Sequence, residues 1–361
     1  MTYKESLFFI GKCLTISHEK HNLEIVKKQI LANTIHWNTI VTVATDHYVF
    51  PALYCSLEKM KLTQHLPNDL VEYMKYIADL NRERNILIIT QASEINVLLK
   101  AHNIEPIFLK GTGNLINNLY QDMAERMVGD IDFLVSKDVF EKTINVLKNN
   151  GYRSNFDESI YLDFSKHFPR MTKDKRIGAI EIHQEMTIKK IRPFFNYETV
   201  VHNTLVKNTI QILGYKDQLL HTIINNQIND MEYAFKNISL RNYYDSLLLT
   251  YKTNTYAFIP PFSSATKYVN SFLYTASKLF HIKSLEPTST TRALVNYSFT
   301  RFLLKRLTLK KNYCLLLKTY FFLTDRVVIV IKAFYSKKHF LFVKEKLTTI
   351  DWYKRRFLGI K

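Results

Sequence analysis

Cysteine is scarce in this 361-residue chain: Cys13, Cys55 and Cys314 are far apart and odd in number, and no CxxC or HExxH spacing occurs. A disulfide framework and a zinc site of the usual spacings are therefore excluded, and a reducing, cytoplasmic setting is expected. Long apolar runs are missing as well. The N-terminus offers only Leu7 to Ile10 before Lys12, too short for the apolar stretch of a secretory leader. The run "VVIVI" (327–331) is bracketed by Arg326 and Lys332, so no membrane span is expected. Acidic residues are outnumbered, 32 Asp and Glu against 50 Lys and Arg, for a formal charge of +18. Such an excess suits a polyanionic partner, whether nucleotide phosphates, nucleic acid or an anionic surface. It suits equally a lysine-rich surface that only solvates helices. Internal repeats and low-complexity linkers are also absent.

What remains is an ordinary globular composition, 47% hydrophobic and 13% aromatic, long enough for two or three modest domains with a sizeable core. Residues 1–100 read as a helical region, with Phe8, Ile10 and Leu14, then Ile25, Ile30 and Leu31, at spacings of apolar helix faces. Pro51 marks a turn into a further helix, and "NRERNILIITQASEINVLLKAHN" is the longest helical pattern. Residues 101–195 change character and alternate strands with helices. A strand at 106–110 meets a Gly turn and a helix starting near Thr112. A strand at 130–136 precedes a helix with Asp138 as N-cap and Gly151 as its stop, and "GAIEIHQEM" forms a later strand. Residues 196–361 return to mostly helical spacing and are basic, with strands expected near 327–331 and 340–343 and a long connection at 259–267. The fold class expected is α+β: a small mixed sheet flanked by helical N- and C-terminal regions.

The stretch "FLKGTGNLINNLYQDMAERMVGDIDFLV" (108–135) holds a local conflict. Asp130 and Asp132 share one face of a strand, although strands disfavour Asp and like charges two apart repel. A strand rises about 3.3 Å per residue, so both side chains project the same way and can converge on a divalent cation that offsets their repulsion. Glu181, in its own apolar strand with Ile180 and Ile182 facing the core, is the natural third acid. Two-metal phosphoryl chemistry needs ions about 3.5–4 Å apart, which such a triple can supply. Without metal, three carboxylates this close should push at least one pKa up. The Lys-Gly-Thr turn supplies the complementary half. Gly111 lets backbone approach a phosphate, Thr112 offers a hydroxyl, Lys110 a point charge, and Arg126 a planar donor fork. Each element taken singly is usually a turn or a surface acid; the order and placement of all of them is what points to a nucleoside triphosphate with Mg²⁺.

On these residues the chain resembles the nucleotidyltransferase-fold superfamily, with its Gly-Ser-type turn, apolar-flanked acidic pair and third acid on a later strand. It is most similar to an uncharacterised bacterial nucleotidyltransferase family of "LKG…DIDLLV…ElH" type. Matching stretches are "FLKGTG", "LY", "ERMVGDIDFLV", "NNGY", "HFPRM" and "IEIHQEM", strongest over 105–185 and extending over about 35–250. The resemblance implies transfer of a nucleoside monophosphate from an NTP to an acceptor hydroxyl. Asp130, Asp132 and Glu181 would be catalytic and hold Mg²⁺ or Mn²⁺, two ions in all; Lys110, Gly111, Thr112 and Arg126 would bind the nucleotide. Three departures stand out: Thr112 replaces the common Ser, seventeen residues separate it from Asp130, and Glu replaces the commoner Asp at the third position.

Accessory roles fall to His183, on the face of Glu181, and to His167 in "KHFPRM" beside Arg170, although a lone histidine there serves as readily as a structural hydrogen-bond partner. Arg241 and Asp245, at i and i+4, read as a structural pair. Residues 301–361 carry sixteen Lys or Arg against three acids, interleaved with aromatics. That mix suits RNA or another polyanionic acceptor, or helices with solvated lysines and a packed aromatic face. The rival to an enzyme is a non-catalytic nucleotide- or nucleic-acid-binding module on the same fold. Against it, a degenerate site has no need of clustered repelling acids. RNA, a small molecule, a sugar and a protein hydroxyl all stay open as acceptors.

Overall fold

The computed structural model describes residues 1–154, 166–253, 262–287 and 290–348 of the chain. The first hundred residues fold as helices, as their apolar spacing requires: α1 (Tyr3–Cys13), α2 (Lys20–Leu31), α3 (Trp37–Asp46), α4 (Phe50–Lys59) and α5 (Asn68–Lys100). Pro51 lies in the first turn of α4, where its missing N–H leaves no intrahelical bond unmade. Leu31 departs from expectation and is exposed, because α2 turns Asn22, Val26 and Ile30 inward instead.

The α/β part follows as β1 (Ile107–Phe108), α6 (Lys110–Ile116), β2 (Asp130–Leu134), α7 (Lys137–Asn149), β3 (Arg153–Ser154), β4 (Met171–Thr172) and β5 (Ala179–His183). Next come α8 (Tyr197–Val200), β6 (Leu205–Lys207), β7 (Ile210–Ile212), α9 (Tyr215–Ile224), α10 (Glu232–Phe235) and α11 (Leu240–Thr253). The chain then runs through α12 (Ser263–Phe280), α13 (Thr291–Leu304), α14 (Leu307–Ala333) and α15 (Lys337–Thr348). The strands form one mixed sheet in the order β3-β4-β5-β2-β1-β7-β6. This is an α+β fold with a small mixed sheet and helical flanks. The sheet also draws β6 and β7 from beyond residue 195. One buried apolar cluster continues from Leu7 to Leu304, tying sheet and helices together.

Three local expectations give way. The runs at 327–331 and 340–343 are helical, in α14 and α15, because a short β-branched run inside a long helical repeat follows the helix rather than its own propensity. Asp138 is not the cap of α7: Ser136 occupies that position, and Asp138 falls in the first turn, where its charge meets the positive end of the helix. The connection expected at 259–267 yields to α12 from Ser263 onward, and 259–261 lie outside the described residues. Gly151, with φ of 85°, does close α7 in the left-handed region.

Candidate active site

Register is what assembles the acids. Strands β2 and β5 run parallel in the middle of the sheet, with Asp132 directly beside Glu181 and Leu134 beside His183. Ile131, Ile180 and Ile182 are fully buried in the core, and the two-residue period turns the acids to the other face. Fifty positions of sequence collapse to one strand spacing, and ligand atoms of Asp132, Glu181 and His183 lie within 4.8 Å of one another.

Two bases share the cluster with the acids. Lys110 Nζ sits 2.5 Å from Asp132 Oδ1 and 3.7 Å from Glu181 Oε2. The His183 Nε2–H group donates to Asp132 Oδ1 at 2.9 Å and lies 3.7 Å from Glu181. The expected upward pKa shift therefore does not occur at these two acids. Burial alone would raise Asp132, but Lys110 and His183 outweigh it and hold the carboxyl well below its ordinary value. Glu181 is held down as well, chiefly by hydrogen bonding to His183 and against burial and the Asp132 charge. Lys110 loses by burial and gains more from Asp132, Glu181 and Asp230, so its ammonium is held above the usual lysine value. Asp130 stands apart at the rim, ion-paired with Arg170 of the segment leading into β4. His167 does not line the cleft; its ring packs 5.1 Å from that of His183, and its Nδ1 bonds the Phe168 carbonyl at 3.0 Å.

The Lys-Gly-Thr turn opens directly onto these acids. Lys110 takes a positive φ of 50°, a conformation that is uncommon for a residue with a side chain and that recurs where function demands it. Gly111 packs so closely that a Cβ there would lie 3.2 Å from Arg126 Cζ and 3.1 Å from Val128 Cγ2. Thr112 behaves otherwise than expected: it is fully buried and its hydroxyl donates inward to the Asp130 carbonyl at 3.1 Å. Arg126 does border the cleft, but its Nε donates to Asp245 at 2.9 Å and its Nη1 to the Met127 carbonyl at 2.5 Å. The pairing expected between Arg241 and Asp245 is therefore corrected. Asp245 serves Arg126 and the Tyr120 hydroxyl, and Arg241 makes no ion pair among the described residues. Its partner is instead the Tyr48 ring, 4.8 Å from its guanidinium carbon, and its Nε has no hydrogen bond.

Together these groups enclose a cleft of about 420 Å³, floored by the strand acids and walled by α9 and α11 through His221, Thr222, Asn225 and Arg241. Burial, with repulsion from Lys110, brings His221 down to about 3, so it stands neutral in the wall. Burial and the nearby Arg126 lower Arg241 to about 10, still charged at neutral pH. A larger cavity of about 810 Å³ beside α12 and α13 has no carboxylate or imidazole in its described lining; the clustered acids and His221 line the smaller cleft instead.

Sequence reading missed the clamp that holds this floor in place. Helix α5 lays amide side chains along the segments entering β2 and β5. Asn81 donates to the Ala124 and Arg126 carbonyls, Asn85 to Met123 and Arg126, and Gln91 both donates to the Gly178 carbonyl and accepts from its N–H. Gly178 must be bare: a Cβ would stand 2.8 Å from Ile131 and 2.9 Å from Ile88. The only sequence signal was a row of amides, Asn81, Asn85, Gln91 and Asn96, on the buried face of a long helix. The model of an uncharacterised nucleotidyltransferase family matches residues 33–260, more than half of the chain. No curated protein and no solved structure matches it.

Proposed function

The chain belongs to this nucleotidyltransferase family, and on that premise we propose that it moves a nucleoside monophosphate from an NTP to an acceptor hydroxyl with the help of divalent metal. The observation that carries this reading is the side-by-side register of Asp132 and Glu181, with Lys110 and His183 closing the cluster. The donor set fits the group: two carboxylates offer hard oxygens, and a charged lysine already marks the spot as one that a cation favours. Asp132 and Glu181 hold the ion, with His183 orienting Asp132 through its N–H. Asp130, on the same strand face and now paired with Arg170, would be the carboxylate to hold a second ion. Bound there, Mg²⁺ or Mn²⁺ supplies charge neutralisation to the phosphates.

The chain's own residues do the rest by positioning and charge. Lys110 and Arg241 approach the triphosphate from opposite walls of the cleft, and Arg126, fixed by Asp245, keeps its plane against Gly111. The Glu181 carboxylate takes the proton of the acceptor hydroxyl as the oxygen–phosphorus bond forms, and the bond to pyrophosphate breaks. The Thr112 hydroxyl is committed to Asp130 and has no part.

Purified protein incubated with each α-labelled NTP, Mg²⁺ or Mn²⁺, and fractionated lysate should transfer label to an acceptor, whose chemistry then names the class. Asp132→Asn should abolish both transfer and Mn²⁺-dependent nucleotide binding. Undiminished transfer in that variant would rule the assignment out. Nucleotide binding with no transfer in any fraction would favour the non-catalytic module.

A further inference from the structure

Helix α14 leaves the body of the protein with a full apolar face uncovered. Over its 27 residues no side chain is buried. Leu316, Tyr320, Leu323, Val327, Val330 and Phe334 are between 45% and 80% exposed. Their spacing alternates four and three residues, the a/d repeat of a coiled-coil seam, with Leu316 and Leu323 at d and Val327 at a. Lone exposed apolar residues need no explanation, but a continuous stripe of this kind does.

Charge placement decides what the stripe fits. Lys311, Lys318, Asp325 and Lys332 recur every seventh residue and so lie on the side of the helix opposite the stripe. The flanking e and g positions are Leu317, Thr319, Thr324, Ile331 and Ala333, plus Arg326, which lies over the Phe322 ring of its own helix. A helix lying on an anionic membrane carries lysines beside its apolar face, where they reach headgroups; here, between 316 and 334, those positions hold no lysine and a single cation, Arg326, which is laid over the Phe322 ring. A nucleic-acid surface needs cations and exposed aromatics on one face, and here the exposed Tyr320 and Phe334 lie opposite Lys311, Lys318 and Lys332. The body meets α14 at the N-terminal end of this face, where the Tyr313 hydroxyl donates to the Ala234 carbonyl, and beside it, where Phe321 packs against Phe235 of α10; α15 packs against α14 as well. What matches an apolar seam whose flanks carry one cation, already stacked on its own helix, is a copy of itself.

We infer that α14 is a self-association element, and that two copies of this chain pack stripe against stripe about a two-fold axis. The six side chains expose on the order of 700 Å², close to the roughly 800 Å² each partner buries in a standard interface. Lines of like residues meeting across the axis give the isologous contact that a closed dimer needs.

Size-exclusion chromatography with light scattering on the full chain tests this. The wild type should run at twice its 42.7 kDa at micromolar concentration. Leu323→Glu should run as a monomer with unchanged helical circular dichroism, and Lys318→Glu should remain dimeric. Should Leu323→Glu fail to fold, Leu323→Cys replaces it, and oxidation should cross-link that variant as a dimer while Lys318→Cys stays uncross-linked. A wild type that is monomeric throughout, or a dimer that survives Leu323→Glu, overturns the inference. So does a monomer that sediments with phosphatidylserine vesicles through the same stripe.

Discussion

The two walls of the cleft are built on different principles. The floor comes from β2, β5 and the Lys-Gly-Thr turn, and its groups are already mutually satisfied: Asp132 with Lys110 and His183, Glu181 with the same two bases. The helical wall brings Arg241, His221 and Asp230 from α9, the segment before α10, and α11. There, desolvation dominates, since burial is the largest cause of the shift at each of the three. One wall is a preassembled ionic cluster; the other holds Arg241, a charge with no ion pair among the described residues and so available to an anionic ligand.

Breaking the floor should cost the most. Glu181→Gln keeps the shape and the contact to His183 but removes the charge that, in the proposed reaction, takes the acceptor proton. Transfer should fall about a hundred- to a thousandfold, well beyond the smaller loss of metal-dependent nucleotide affinity that its share in holding the ion entails. Equal losses in binding and transfer would make Glu181 part of a nucleotide-binding wall only.

The contrast is sharpest between two arginines 115 residues apart (126 to 241). Arg126 is anchored by Asp245, and both are buried. Arg126→Ala leaves Asp245 buried without its counter-ion and should cost about 3–5 kcal/mol in urea unfolding. Arg241→Ala removes a guanidinium with no ion pair, so stability should hold or rise slightly. Nucleotide affinity should fall roughly tenfold to a hundredfold, the worth of one charged hydrogen bond. Similar destabilisation by both variants would end the division between anchored and available arginine.

This division also explains what could be read from sequence. A strand displays a pair of acids as Asp-x-Asp, because its period of two puts them on one face, so 130 and 132 announced themselves. Ile-Glu-Ile did the same for 181. Helical wall residues carry no such signature: Arg241 and Asp245 sit at i and i+4, which is the spacing of an ordinary helix pair, and only tertiary packing assigns Asp245 to Arg126. Thr112 misled for the opposite reason. Its place in the motif was clear, but whether its hydroxyl points into the cleft or back to Asp130 is settled by the turn of β1 into α6. Strands at 205–212 were hidden by their length, three residues each.

Titration separates the wall from the floor in sign. Burial raises Asp230 in the wall and, just outside the cleft, lifts Glu232 to about 7 from an ordinary 4.5. A carboxyl raised in the folded state favours folding while it stays protonated, below about 4.5, and that contribution is lost as pH climbs through 7. Glu232→Gln should therefore gain stability relative to wild type across this window, by on the order of 2 kcal/mol at pH 8. Asp132, held low, works the other way and loses its contribution only in acid. Melting curves at pH 5 and pH 8 decide it: an unchanged gap between Glu232→Gln and wild type would remove Glu232 from the account.

The smallest effect concerns the clamp that keeps the floor registered. Asn85 Nδ2 donates to the Met123 and Arg126 carbonyls, each at 2.7 Å, and Asn81 Nδ2 donates to Arg126 as well, at 3.1 Å. Asn85→Ala leaves the Arg126 carbonyl with Asn81 still in place, so only the Met123 carbonyl loses its amide donor. A cost of about 1 kcal/mol is expected, at the low end for a buried hydrogen bond. Asn81→Ala alone should cost a similar amount, since Asn85 then covers the shared carbonyl. The double variant removes both donors from Arg126, and a buried carbonyl stripped of its partners costs more than either bond contributes. Its destabilisation should exceed the sum of the single changes by about 0.5–1 kcal/mol, a departure expected where two residues share one partner. Additive losses would mean the two asparagines act separately, and that the approach to β2 is held by the strand pairing rather than by α5.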